Sequence, residues 1–217
     1  MFSGTRSSDK TDEVTDQLQG TMATGGYFFK GISKSGEDPP SNLSADQCSV
    51  LVGGLRWFPK GDFTKLKVKD LNFNRKIRGK KSKIGAGVIP EKLTLRDCAS
   101  KVAELFDPTG KVAPITGGMK IDVSILHKRK MDWDDPLPNE LKNVWCENFD
   151  VLKELGTLKF QRAVIPQDAV SLDVELICSA DAGEDLICAS VHARYRLCNG
   201  KHSCQLIFES GTGLDLF

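Results

Sequence analysis

The densest chemistry in this chain is positive. Between residues 65 and 83 stand Lys65, Lys67, Lys69, Arg75, Lys76, Arg78, Lys80, Lys81 and Lys83, against a single carboxylate, Asp70. Cations at this density suit phosphate contact. Each neutralised phosphate releases condensed counterions, so binding follows salt rather than base sequence. Phe73, set among them, is a candidate ring for base stacking. The competing reading is a solvated, disordered basic loop with no ligand.

Other groupings are weaker. Trp133, Asp134, Asp135 and Pro136 invite a metal reading, but adjacent residues of a turn point apart, and Asp is favoured just before a helix. His202 with Cys198 and Cys204 straddles a tight turn at a spacing that matches no zinc pattern, so these read as ordinary strand residues. An aspartic peptidase needs two Asp carboxylates sharing a proton, normally in an Asp-Ser/Thr-Gly loop. That tripeptide does not occur: Pro108 interrupts Asp107–Thr109–Gly110, and residues 210–213 (SGTG) have no Asp. No Ser/His/Asp or Cys/His pairing has a local signature either.

Charge divides the chain. Residues 1–130 hold 23 of the 30 Lys and Arg but 14 of the 29 Asp and Glu, leaving residues 131–217 acidic. Such asymmetry implies a basic part suited to a polyanion and an acidic part with other partners. No run approaches the ~20 apolar residues of a membrane span, and residues 1–19 lack the apolar core of a signal peptide. Seven cysteines without a regular framework fit a reducing compartment, so the expected location is intracellular, cytoplasmic or nuclear, with no membrane partner.

The elements that must position these groups follow from periodicity. A helix is expected over 12–22, ended by Gly25 and Gly26, and residues 30–42 read as a Ser-, Gly- and Pro-rich loop. Residues 48–58 (CSVLVGGLRWF) are a strand candidate with a bulge or close approach at Gly53–Gly54. After the turn at 59–62, residues 63–68 should pair back as a hairpin. Thr94 is placed to cap a helix whose Leu95, Cys98, Ala99, Val102, Leu105 and Phe106 follow helical spacing. A second helix is expected over 111–128 despite Gly117–Gly118. A third should start near Pro138, with Leu141, Val144, Trp145, Leu152 and Leu155 on one side. Residues 172–180, 186–197 and 202–208 alternate as strands, the last two joined through Asn199–Gly200.

Four islands in this order resemble the BEL/Pao class of long-terminal-repeat retrotransposons. They are 52–62 (VGGLRWFPKGD), 93–114 (LTLRDCASKVAELFDPTGKVAP), 131–138 (MDWDDPLP) and 178–189 (CSADAGEDLICA). The first is similar to the family's strand and turn V-L-G-x-x-W-x-P after the polymerase palm. The second resembles its helix and F-D-P-x-G turn. The last resembles the S-D-A-S-E stretch that opens its ribonuclease-H-like domain. Departures from the pattern are Gly31, where the family has Trp, Lys34 for an expected Asn, Gly53 for an apolar residue, and the sequence past Glu209. They imply a decayed or mis-bounded copy.

The resemblance implies an α+β chain in four parts. Residues 1–47 would be the end of the reverse transcriptase palm and the start of the thumb, 48–92 a thumb-like hairpin with the basic loop, and 93–160 a helical connection. Residues 161–217 would be a truncated three-stranded antiparallel RNase-H-like sheet. Asp181 then matches the first catalytic carboxylate of that fold, whose several carboxylates hold two Mg²⁺ ions. With its partners absent, Asp181 would bind metal only in an intact parent, and the fragment itself would need no cofactor. Glu184 and Asp185 read as solvent-facing turn residues. The implied partners are an RNA–DNA template–primer, with residues 52–63 near the primer strand, and the rest of the pol polyprotein. Alone, the chain is expected to be inactive, with weak, nonspecific nucleic-acid affinity. Alternatives are a retrotransposon aspartic peptidase, a label attached to this family region, or a structural relic.

Overall fold

The computed structural model describes residues 8–73, 76–77, 80–81, 87–171 and 173–213. The chain divides into two compact units, Met1–Val50 with Pro59–Gly61 and Leu51–Phe58 with Asp62–Phe217.

In the first unit, helix α1 (Ser8–Thr24) begins earlier than its apolar residues predict. It ends where expected: Gly26 takes φ +78°, and the N–H groups of Gly25 and Tyr27 both donate to the Met22 carbonyl, at 3.1 and 3.0 Å. The loop that follows is organised by Asp46. Its carboxylate accepts the N–H groups of Cys48 (3.0 Å) and Ser49 (2.8 Å) and the hydroxyls of Ser44 (2.9 Å) and Ser49 (2.7 Å). These donors, the Ser49 hydroxyl foremost, hold the Asp46 carboxyl well below the usual carboxylate range.

The strand expected over 48–58 is two strands. β1 (Val50–Val52) and β2 (Leu55–Phe58) are sheet neighbours joined by Gly53 and Gly54, whose φ angles of +55° and +83° suit a two-residue hairpin turn rather than a bulge. Gly54 is also a close approach, because a Cβ there would lie 2.3 Å from the Phe106 ring. The turn over 59–62 forms as expected, with Asp62 at φ +48°, and β3 (Phe63–Leu66) pairs antiparallel with β2. Within the basic stretch, β4 (Lys76–Ile77) and β5 (Lys80–Lys81) form a small antiparallel pair, where an unstructured loop was the competing expectation.

Thr94 caps α2 (Leu95–Ala103) with a reciprocal capping box to Asp97. Leu95, Cys98 and Val102 are buried as their spacing predicts. Phe106, expected among them, lies past the helix end and is mostly exposed. α3 (Ala113–Lys128) and α4 (Asn139–Leu155) match the other two expected helices. On α4, Val144 is exposed and Phe149 takes the core place instead. Trp145 and Phe149 are fully buried, and Phe73 packs edge-on against Phe149 at 5.2 Å. Burying one such ring stabilises the fold by roughly 1.5–3 kcal/mol. Phe73 is therefore core, and the base-stacking role expected for it is withdrawn. A short strand β6 (Phe160–Gln161) returns to pair with β3, completing a four-stranded sheet in the order β1-β2-β3-β6.

The acidic part forms a three-stranded antiparallel sheet of β7 (Glu175–Ala182), β8 (Leu186–Arg196) and β9 (His202–Gly213), in that order. β9 runs past its expected end at 208, and its pairing with β8 shifts register at Val191/His192. Asn199 and Gly200 (φ +78°) lie in the turn that joins β8 to β9. α3 packs on this sheet through a point without side chain. A Cβ on the buried Gly117 would lie 3.2 Å from Leu186, and the Lys120 amine donates to the Gly211 carbonyl at 2.9 Å. The whole is α+β with antiparallel sheets, as expected.

Candidate functional site

The register of β2 and β3 sets Arg56 opposite Lys65 and Phe58 opposite Phe63. Side chains alternate across a strand, and Thr64 and Leu66 are buried, so Arg56, Phe58, Phe63 and Lys65 share the outer face. The two phenyl rings stack at 4.7 Å between centroids with 11° between planes. The Lys65 amine lies over Phe58 at 5.6 Å, and the Lys159 amine, arriving beside β6, lies over Phe63 at 4.9 Å. Beyond the strand, Lys67 and Lys69 are exposed. Lys76, Lys80 and Lys81 lie on the β4–β5 pair, while Arg75, Arg78 and Lys83 fall outside the described residues.

At the hairpin end, Arg162 grips Asp62 with two bonds of 2.5 and 2.9 Å and lies over the Trp57 ring at 5.7 Å. Trp57 Nε1 donates to the same carboxylate at 3.2 Å. This clamp joins residues a hundred positions apart and fixes β6 against the hairpin. On the neighbouring edge, the Lys111 amine donates to the Gln161 carbonyl at 3.3 Å and lies 5.2 Å over Phe160. Burial lowers its pKa, against the pull of Asp107.

Asp181 lies on β7, every residue of which is exposed. It pairs with Cys188, which pairs in turn with Gly211, so it is on the sheet face that carries Leu186 and α3. Asp181 Oδ1 accepts the N–H of Ala182 at 2.9 Å. Glu184 is exposed in the following turn, as expected. Asp185 is more engaged than a solvent-facing residue, with an ion pair to Lys128 at 2.8 Å. No three His, Cys, Asp or Glu side chains come together to hold a metal among the described residues. His202 and Cys204 sit on β9 and Cys198 in the turn before it. Two Mg²⁺ ions need several convergent carboxylates, and one exposed Asp with its neighbour committed to a lysine does not fit that requirement.

The remaining motif residues act as joints. Asp107 Oδ2 accepts the Val112 N–H at 2.8 Å just before α3, and Gly110 (φ +71°) lies against the backbone of Glu209, whose N–H donates to the Thr109 carbonyl at 3.0 Å. Asp134 was expected to belong to a capping turn. It instead takes two bonds from Arg96, at 2.9 and 3.0 Å, and Pro138 occupies the N-cap of α4. Arg96 also lies 5.5 Å over Trp133, whose other neighbour is His127 at 5.1 Å. The turn thus ties α2 and α3 to the start of α4.

A family model described as the Pao retrotransposon-like RNaseH-like domain matches residues 94–210, just over half the chain. The chain belongs to this Pao retrotransposon family. It is therefore a segment of a retrotransposon pol polyprotein, as the ordered islands imply. No curated protein and no solved structure matches it. The Pao match takes in α2, α3, α4 and β6 together with β7, β8 and most of β9, and contains nearly all of the island at 93–114 and the whole of the last two. The island at 52–62 lies outside it. No described helix is long and apolar enough to cross a membrane.

Sequence reasoning missed Phe58, Phe63, Lys159 and the Arg162–Asp62 clamp. Aromatic residues facing each other across the turn at 59–62 were the available signal for the stacked pair. Nothing local marks Lys159 or Arg162, because β6 reaches the hairpin only through the three intervening helices.

Proposed function

We propose that this Pao segment contacts nucleic acid in its parent polyprotein through the hairpin and the basic stretch, and that it carries Asp181 as one member of a ribonuclease H site that other parts of the parent complete. Alone it binds an RNA–DNA duplex weakly and without sequence choice, and does not cleave it. The observation that carries the reading is the run of Lys65, Lys67 and Lys69 leaving β3 half-buried or exposed, beside Arg56 and Lys159, with only Asp70 among them. Supporting the second part is Asp181 on β7, where the strand's other carboxylate, Glu175, is paired with Arg194 and Asp185 is held by Lys128.

Titration of a labelled RNA–DNA duplex tests it. Each phosphate contact contributes about −0.9 to the slope of log K against log[salt], so Lys65, Lys67 and Lys69 together account for roughly −3. Lack of binding at low salt removes the nucleic-acid reading. Mg²⁺-dependent cleavage of the RNA strand that disappears in Asp181→Asn overturns the claim that the segment is inactive alone.

A further inference from the structure

We infer that the outer face of β2 and β3 is a stacking platform for single-stranded nucleic acid, with Phe58 and Phe63 taking bases and Lys65 and Lys159 the flanking phosphates. The inference rests on the nucleic-acid reading above and names the strand state that reading leaves open.

Two phenyl rings stacked at 4.7 Å stand on the outer sheet face, with Arg56 on one side and Gln161 paired opposite Phe63. Both rings keep partial exposure, unlike the core rings of Phe73 and Phe149. The stack is capped at each end by an ammonium, Lys65 over Phe58 and Lys159 over Phe63. Exposed cation–π contacts are weaker than base–aromatic stacking, and a lysine stem is long and flexible. A base can therefore displace each amine from its ring, and the amine then lies one stem-length away, where the backbone phosphate of that nucleotide sits. Paired bases in a duplex offer no free faces except at the ends, so the rings add affinity only for single strands. Two of the six ring–cation contacts among the described residues fall on this one outer face, which places both kinds of group where a polyanion with π faces would use them.

The full chain is titrated by fluorescence anisotropy with labelled oligothymidylate, oligouridylate and a hairpin duplex of equal phosphate count. Wild type should bind both single strands more tightly than the duplex at matched salt. Phe58→Leu and Phe63→Leu keep an apolar side chain on the sheet but lose the stack. Each should weaken single-strand binding about tenfold, within the range of one lost base stack, with duplex binding and the salt slope unchanged. Phe63→Tyr should restore it. Lys65→Gln and Lys159→Gln should instead lower the magnitude of the salt slope by about one each. Equal losses for single strand and duplex in the Leu variants, or no loss in either, overturn the platform but not the nucleic-acid reading. Absence of binding to every probe at low salt overturns this inference and the nucleic-acid reading together.

Discussion

Gly110→Ala tests how the F-D-P-x-G loop is joined to the acidic sheet. Gly110 has φ +71°, and a Cβ at this position would lie 1.7 Å from the carbonyl oxygen and 2.4 Å from the carbonyl carbon of Glu209. Those atoms are backbone of β9, so no rotamer change relieves the clash. The left-handed conformation alone costs an alanine about 1–2 kcal/mol. The loop and the strand must also part, losing the bond from Glu209 N–H to the Thr109 carbonyl, worth about 1 kcal/mol. The Val112 N–H bond to Asp107 is strained by the same movement. The expected destabilisation is roughly 2–4 kcal/mol, which in a chain of this size lowers Tm by about 5–15 °C. Urea and thermal unfolding followed by tryptophan fluorescence and far-UV circular dichroism measure it. Gly118→Ala is the internal control. It is in the interior of α3 with nothing within 4 Å of its added Cβ, and it should stabilise by about 0.5–1 kcal/mol. If Gly110→Ala unfolds within about 0.5 kcal/mol of wild type, the account of this joint is wrong.

Three further outcomes are expected. Thr94→Ala removes the hydroxyl that accepts from Asp97 N–H at 3.3 Å and donates to its carboxylate at 2.7 Å. It should cost about 1 kcal/mol in urea unfolding, with Thr94→Ser close to wild type. Under native conditions at neutral pH, a chromogenic disulfide should label the exposed Cys48, Cys178, Cys198 and Cys204. Cys98, whose thiol burial pushes far above its ordinary pKa, should react only after denaturation. Asp46 gives a pH signature. Its folded pKa is depressed by hydrogen bonds, so the stability it lends its loop is fully present above the unfolded value of about 3.9 and is lost as pH falls through the lower folded value. Hydrogen exchange of the Cys48 and Ser49 amides should stay protected at about pH 4 and lose protection only in stronger acid, whereas Asp46→Ala should lack it throughout.

Local chemistry made much of this protein legible from its residues. The Thr94 cap, the Gly25–Gly26 stop, the apolar spacing of α2 and α4, and the alternation of β8 and β9 each depend on neighbours within a few positions, where backbone preference and one-sided burial act directly. The order of the family islands likewise identified a Pao polyprotein segment. Other features depended on which surfaces meet. Residues 48–58 read as one strand, because a glycine pair serves a bulge or a hairpin turn equally well until β1 and β2 are seen side by side. Phe73 read as a surface ring among lysines, yet α4 supplies Phe149 to bury it. Phe106 and Val144 follow helical spacing but stay exposed, Phe106 past the helix end with its ring against Gly54. The stacked Phe58–Phe63 pair owes its Lys159 cap, and Asp62 its Arg162 clamp, to β6, which reaches the hairpin from about a hundred residues away. Such contacts carry no periodic signal, since the chain between them can be any length that closes. For Asp181 the sequence determines the residue type, and its proposed ribonuclease H role comes from the family resemblance. Tertiary structure decides its surroundings: an exposed strand, Cys188 across the ladder, and Asp185 turned to Lys128 rather than toward a shared metal.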